Sequence, residues 1–221
     1  RAFPIVTLDL RMNRGAALEK AAGLAESLRL PPAGYREVAS FSGDQETQNF
    51  IELEAGGTTA FRTMMAEGLY YPFKWSVRHF KAGETRETRF LFTPRGEPYG
   101  FAVKLPEKEA GAALPAETAQ AIAEQSAARD WQVDLSRYRL VEKGQEVRPG
   151  GRVDHTFVYE RPDIRIGEGR YRLRIVVGGD KLIEVNHFVK VPEAFSRRYE
   201  EMRSANNVIG AILTRFAKAG Q

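Results

Sequence analysis

In Tyr171–Val177 the odd positions (Tyr171, Leu173, Ile175, Val177) are apolar, and the even ones open with Arg172 and Arg174. Ile183, Val185, Val189 and Val191 continue the rhythm, and Tyr99, Phe101, Val103 and Leu105 repeat it earlier in the chain. Alternation of this kind predicts a sheet with one buried and one wet face, usually antiparallel. Gly178-Gly179-Asp180 lies between two such runs as a hairpin turn, and Pro94-Arg95-Gly96 matches it. Other segments carry helical spacing. Alanine-rich helices are expected over 15–29, with the stripe Leu18, Ala21, Ala22, Ala25 and Leu28, and over 115–129, opened by Pro115. Phe61, Met64 and Met65 predict a short inserted helix at 58–68, after Gly56-Gly57. Phe195, Tyr199, Met202, Ile209, Leu213 and Phe216 predict an amphipathic helix over 194–216. It should dock by its first turns and, growing more apolar, lead towards a membrane. Phe3–Leu8 reads as a strand.

The elements come in the same order twice: helix, then four strands. Phe101-Ala102-Val103-Lys104-Leu105-Pro106-Glu107 echoes His187-Phe188-Val189-Lys190-Val191-Pro192-Glu193, and Tyr35-Arg36-Glu37-Val38 echoes Tyr138-Arg139-Leu140-Val141. Two echoes in the same order predict a tandem duplication. The expected class is therefore α+β. It comprises a first helix-on-antiparallel-sheet unit at 1–110, a second at 111–193 and a C-terminal helix at 194–221. Each unit is similar in outline to small cystatin-like or PepSY-like modules, a likeness of fold alone.

Composition narrows the function more than it names it. Hydrophobic residues make up 43% of the 221, enough for a folded core. The net charge of +4 is spread along the chain, and with little aromatic interleaving it does not point to nucleic acid. The absence of cysteine removes disulfides and thiol chemistry. No apolar run reaches 18 residues, and the chain opens at Arg1 directly into strand-like sequence, which reads as a piece of a longer protein. His79, His155 and His187 each fall on the apolar phase of a strand without a shared ligand spacing, so buried, hydrogen-bonded histidines are the simpler reading over a metal site. No nucleophile motif, phosphate loop or zinc-protease motif occurs, and no catalytic residue, metal or cofactor is expected. Arg170, Arg172, Arg174, Arg86 and Arg89 fall on outward strand positions. They form a candidate surface for a partner or anionic lipid, unless Glu84, Glu87, Glu168 and Glu184 pair with them.

Two stretches carry a family resemblance: Arg148–Glu160 (RPGGRVDHTFVYE) and Phe188–Asn207 (FVKVPEAFSRRYEEMRSANN). They resemble the N-terminal region of bacterial CPBP-family intramembrane proteases, relatives of the CAAX prenyl endopeptidases and the Abi proteins. In that family the protease proper is a bundle of membrane helices bearing an EExxxR motif. Here Glu200-Glu201 is followed by Ala205 where the arginine would stand, so no catalytic residue carries over. The resemblance implies a non-catalytic, extracytoplasmic accessory domain beside the membrane-embedded protease part of the same parent chain, binding or positioning a peptide or modulating the protease. The alternative is a stand-alone extracytoplasmic ligand-binding or sensor module.

Overall fold

Alanine spacing decides how both long helices sit. Ala17, Ala21 and Ala25 are buried on α1 (Arg14–Ser27), as are Ala119, Ala123 and Ala127 on α4 (Ala116–Trp131). Small residues four apart make a flat strip along a helix, which lets its backbone approach a sheet closely. Both helices finish alike. Arg29 and Gln132 take left-handed φ values of 54°, and Leu30 N–H and Val133 N–H turn back to the carbonyls of Ala25 and Ala127.

The computed structural model describes residues 9–30 and 34–204. The strands are β1 (Arg36–Gly43), β2 (Phe73–Phe80), β3 (Glu87–Phe92), β4 (Pro98–Lys104), β5 (Arg139–Val147), β6 (Val153–Glu160), β7 (Arg170–Gly178) and β8 (Lys181–Lys190). They form one antiparallel eight-stranded sheet in the order β1-β2-β3-β4-β8-β7-β6-β5. The protein is thus α+β, with the helix-then-four-strands order present in each half. Sequence suggests a separate sheet for each unit. Instead the fourth strands, β4 and β8, pair at the centre through Phe101 opposite Val185 and Ala102 opposite Glu184. The echoed segments therefore occupy the same place in the two halves.

One face of the sheet is covered by α1 and α4 over a core that includes Val77, Phe90, Phe101, Phe157, Leu173 and Ile175. The predicted alternation holds along β7, where Tyr171, Leu173, Ile175 and Val177 are buried. Ala22 departs from the expected helix stripe: it is exposed, because the buried strip follows the four-residue spacing of Ala17, Ala21 and Ala25.

Between β1 and β2 lie two helices, α2 (Gln45–Glu54) and α3 (Gly57–Ala66). The expected inserted helix corresponds to α3, with Phe61 and Met64 buried. The second helix, α2, is not anticipated by the sequence reading. Its marks are local: Asp44 caps Thr47 N–H at 3.2 Å, and Phe50 and Ile51 are wholly buried. The insertion builds a second core with Tyr70, Ile166, Tyr171, Val189 and Phe195 at the end of the sheet where β2, β4 and β7 begin. A final helix over 193–204 docks there, Phe195 lying edge-on to Phe50 at 5.3 Å, while residues 200–204 are exposed. The expected strand at 3–8 and the remainder of the helix expected to 216 lie outside the described residues.

At the opposite end, the turn after β5 ties the halves together. The buried Arg152 guanidinium meets Asp154 at 2.7 Å and donates to the Pro106 and Glu109 carbonyls of the connecting segment at 3.3 and 3.1 Å. Arg148 reaches the other oxygen of Asp154 at 2.6 Å, and Val153 N–H bonds Ala112 O. Much of the Arg148–Glu160 stretch thus serves as a clamp on the linker.

Candidate functional site

The wet face of the sheet carries Arg89, Arg170, Arg172 and Arg174 of the arginines singled out by sequence, and most of them face carboxylates. Arg86 departs from the expectation, since it precedes β3 on the phase of the buried Thr88 and Phe90 and lies near Leu28 and Ile122 on the helix-covered side. Arg172 bonds Glu160 at 3.0 Å and Glu142 at 2.6 Å, and Arg174 grips Glu184 with two bonds of 2.9 and 2.8 Å. Arg89 lies 3.3 Å from Glu87, which also holds Arg78, and Arg86 pairs with Glu109. Arg170 binds the carbonyls of Glu168 and Gly169 instead. Arg172 and Arg174 form cross-strand pairs, Arg89 pairs along its own strand and Arg86 with the linker, so little uncompensated positive charge faces outwards; the exposed pairs among them contribute about 0–1 kcal/mol each. A groove of about 810 Å³ lies on this face, but its lining arginines, Arg148, Arg152 and Arg174, are all engaged by Asp154 and Glu184.

The histidines do not converge. His79 on β2 is buried 3.3 Å from Glu37. His155 on β6 contacts Leu114 O at 2.8 Å. His187 on β8 bonds the Tyr171 hydroxyl through Nδ1 at 2.8 Å. Among the described residues no group of three or more His, Cys, Asp or Glu is placed to hold a metal ion, and no helix is long and apolar enough to cross a membrane.

Around His187 there is a cleft of about 260 Å³, bounded by the end of α4, the residues after α3 and the turn before β5. Each wall has a local cause. Tyr99 sits where the β3–β4 register shifts, and its hydroxyl donates to Leu69 O at 2.8 Å. Tyr138 follows the short 3₁₀ turn Leu135–Arg137, which Asp134 caps. Tyr171 starts β7. Trp131 closes α4, stacks on Phe101 at 4.8 Å, and keeps its indole N–H buried without an acceptor among the described residues. Arg137 and Arg161 line the rim; Arg161 lies 5.5 Å from the Tyr138 ring centroid and clasps Asp163.

His187 is stacked between Tyr99 at 4.9 Å and Tyr171 at 6.1 Å. Burial, helped by the nearby Lys74 charge, pushes its imidazole down to about 4, so the ring is neutral at physiological pH. Burial also drives the Tyr99, Tyr138 and Tyr171 phenols up, keeping them protonated. Lys74 stands over the Tyr70 and Tyr99 rings at 5.5 and 5.3 Å, its ammonium destabilised by burial and partly supported by Asp44. Sequence places His187 on the apolar phase correctly, but nothing in it joins Tyr99, Trp131, Tyr138 and Tyr171, which come from four separate elements. The one hint is that the three tyrosines occupy strand or near-strand positions where aliphatic residues would serve packing alone.

Comparison of the chain with family models, with curated proteins and with solved structures returns no match.

Proposed function

We propose that this chain is a non-catalytic binding module that holds a short peptide in the cleft around His187. The observation that carries this reading is the cleft itself: aromatic walls, protonated tyrosine hydroxyls, and an indole N–H with no partner. A concave site where aromatic side chains meet fixed polar groups suits the end of a peptide or a small polar molecule. The electronic state of the site favours binding over chemistry. A neutral imidazole against a phenol whose ionisation is strongly suppressed does not supply an activated nucleophile at neutral pH.

The resemblance of Arg148–Glu160 and Phe188–Asn207 to CPBP-family sequences supports a place for the module as an extracytoplasmic accessory domain beside a membrane-embedded protease. The final helix suits that arrangement, since it is anchored by Phe195 and continues with exposed residues from 200 to 204. A tandem duplication of cystatin-like or PepSY-like units is the matching proposal for the fold. It is supported by the repeated element order, the two alanine triplets and the two left-handed helix ends.

Incubation of the chain with casein and with prenylated peptides should give no cleavage above buffer, whereas a mixture of tripeptides should shift NMR signals of residues around the cleft. Cleavage abolished by replacing His187 would make the protein an enzyme, and tripeptides that leave the cleft signals in place would remove the binding reading.

A further inference from the structure

The cleft is lined by hydrogen-bond donors and backed by a cation. Tyr171 is a buried phenol whose hydroxyl meets His187 Nδ1 at 2.8 Å. In the tautomer where Tyr171 donates to Nδ1, the hydrogen of the neutral ring sits on Nε2, and the carboxylate site proposed below takes this tautomer. Nε2 has no hydrogen-bond partner among the described residues, and His187 lines the cleft. Trp131 adds an indole N–H that also lacks an acceptor.

Arg137 is a third donor. It touches Asp163 by one contact of 3.1 Å, while Arg161 holds the same carboxylate by two, of 2.8 and 2.7 Å. Arg137 can therefore turn to a ligand without leaving Asp163 unpaired; its side chain is 57% exposed. Behind this wall stands Lys74, 5.3 Å from the ring of Tyr99, which stacks on His187. No carboxylate lies within ion-pair range of Lys74 among the described residues, and Asp44 is the acid that acts on it from further off. Aromatic rings between the ammonium and the cleft screen its field far less than water does.

We propose that this site takes its ligand by a carboxylate, and that the carboxylate is the C-terminus of a peptide, bound between His187 Nε2–H and the Arg137 guanidinium with Lys74 as the balancing charge. The inference rests on the peptide-binding reading given above. Charge-assisted bonds from a guanidinium and ring N–H are the strong kind, and the half-buried Tyr138 ring lines the cleft beside the terminal side chain. A volume of about 260 Å³ admits the end of a chain and little more.

The test is an NMR titration of the ¹⁵N-labelled full chain with N-acetyl-Ala-Ala-Phe as the free acid, with its C-terminal amide, and with acetate. The free acid should move the Trp131 indole signal and bind at least tenfold more tightly than the amide. Lys74→Met and Arg137→Gln should each weaken binding of the free acid towards that of the amide, shrinking the tenfold preference to less than threefold. Should Lys74→Met fail to fold, Arg137→Gln, at an exposed position, carries the test. Equal binding of acid and amide would overturn the carboxylate assignment and leave the peptide site standing. Acetate binding as tightly as the peptide acid would overturn the peptide C-terminus in favour of small carboxylic acids. If neither peptide perturbs the cleft, the assignment and the reading beneath it both fall.

Discussion

His187 couples the cleft to pH through its packing. Its folded-state pKa of about 4 lies below the usual value near 6.5, because burial and Lys74 disfavour the imidazolium. Between these values the unfolded chain binds a proton that the folded chain refuses, so stability is full above about pH 6.5 and falls as pH drops towards 4. At pH 5 the loss is about 2 kcal/mol from this residue alone. His79 is shifted in the same direction by burial, so the informative comparison is between the native chain and His187→Gln. Urea unfolding at pH 7 and pH 5 should show a smaller pH penalty in His187→Gln, and an equal penalty in both proteins would contradict the assigned environment of the ring.

At the scale of elements, the join between the two halves depends on the small residue Gly100. A Cβ built there would lie 2.4 Å from the carbonyl oxygen of Val185, a backbone atom held in β8. Backbone cannot yield as a flexible side chain can, so Gly100→Ala should force β4 and β8 apart at a cost of about 1–3 kcal/mol. Hydrogen exchange is the direct check: the amides of Phe101 and Ala102 should lose protection more than those of β6, which two strands separate from β4. The edges show a different economy of means. β5 is largely exposed along its length, yet it carries Arg139, Glu142, Lys143 and Glu146 together with a register shift at Leu140/Glu142, features that discourage edge-to-edge pairing.

For the whole molecule the continuous sheet and the Arg152 clamp predict that both halves unfold together. The protein has two tryptophans, one in each half: Trp75 on β2 and Trp131 on α4. Single-tryptophan variants should report coincident transitions, and transitions separated along the denaturant axis would show that the halves are independent. Arg152→Ala leaves the buried Asp154 with Arg148 alone and frees the linker carbonyls, so it should cost about 3 kcal/mol in both transitions at once. Much of this architecture is legible in the sequence. Period-two runs such as Tyr171–Val177, the alanine spacing of the two long helices, the turns at Gly96 and Gly179 and the repeated element order are local patterns, and local patterns follow from side-chain direction along a strand or helix. The hidden helix α2 escapes because its mean pattern is polar and its burial comes from the second core, whose members Ile166, Tyr171, Val189 and Phe195 lie far from it in the chain. The merging of two sheets, the pairing of each outward arginine and the assembly of the cleft are also beyond sequence reading. They depend on distances between segments far apart in the chain: β4 meeting β8, Arg172 meeting Glu142, and Tyr99, Trp131 and Tyr171 closing around His187. The sequence by itself determines which side of each element is apolar, because that is set by spacing along one segment. Only the tertiary structure decides which buried polar groups face each other, because that is set by the order of strands and the residues that let them approach.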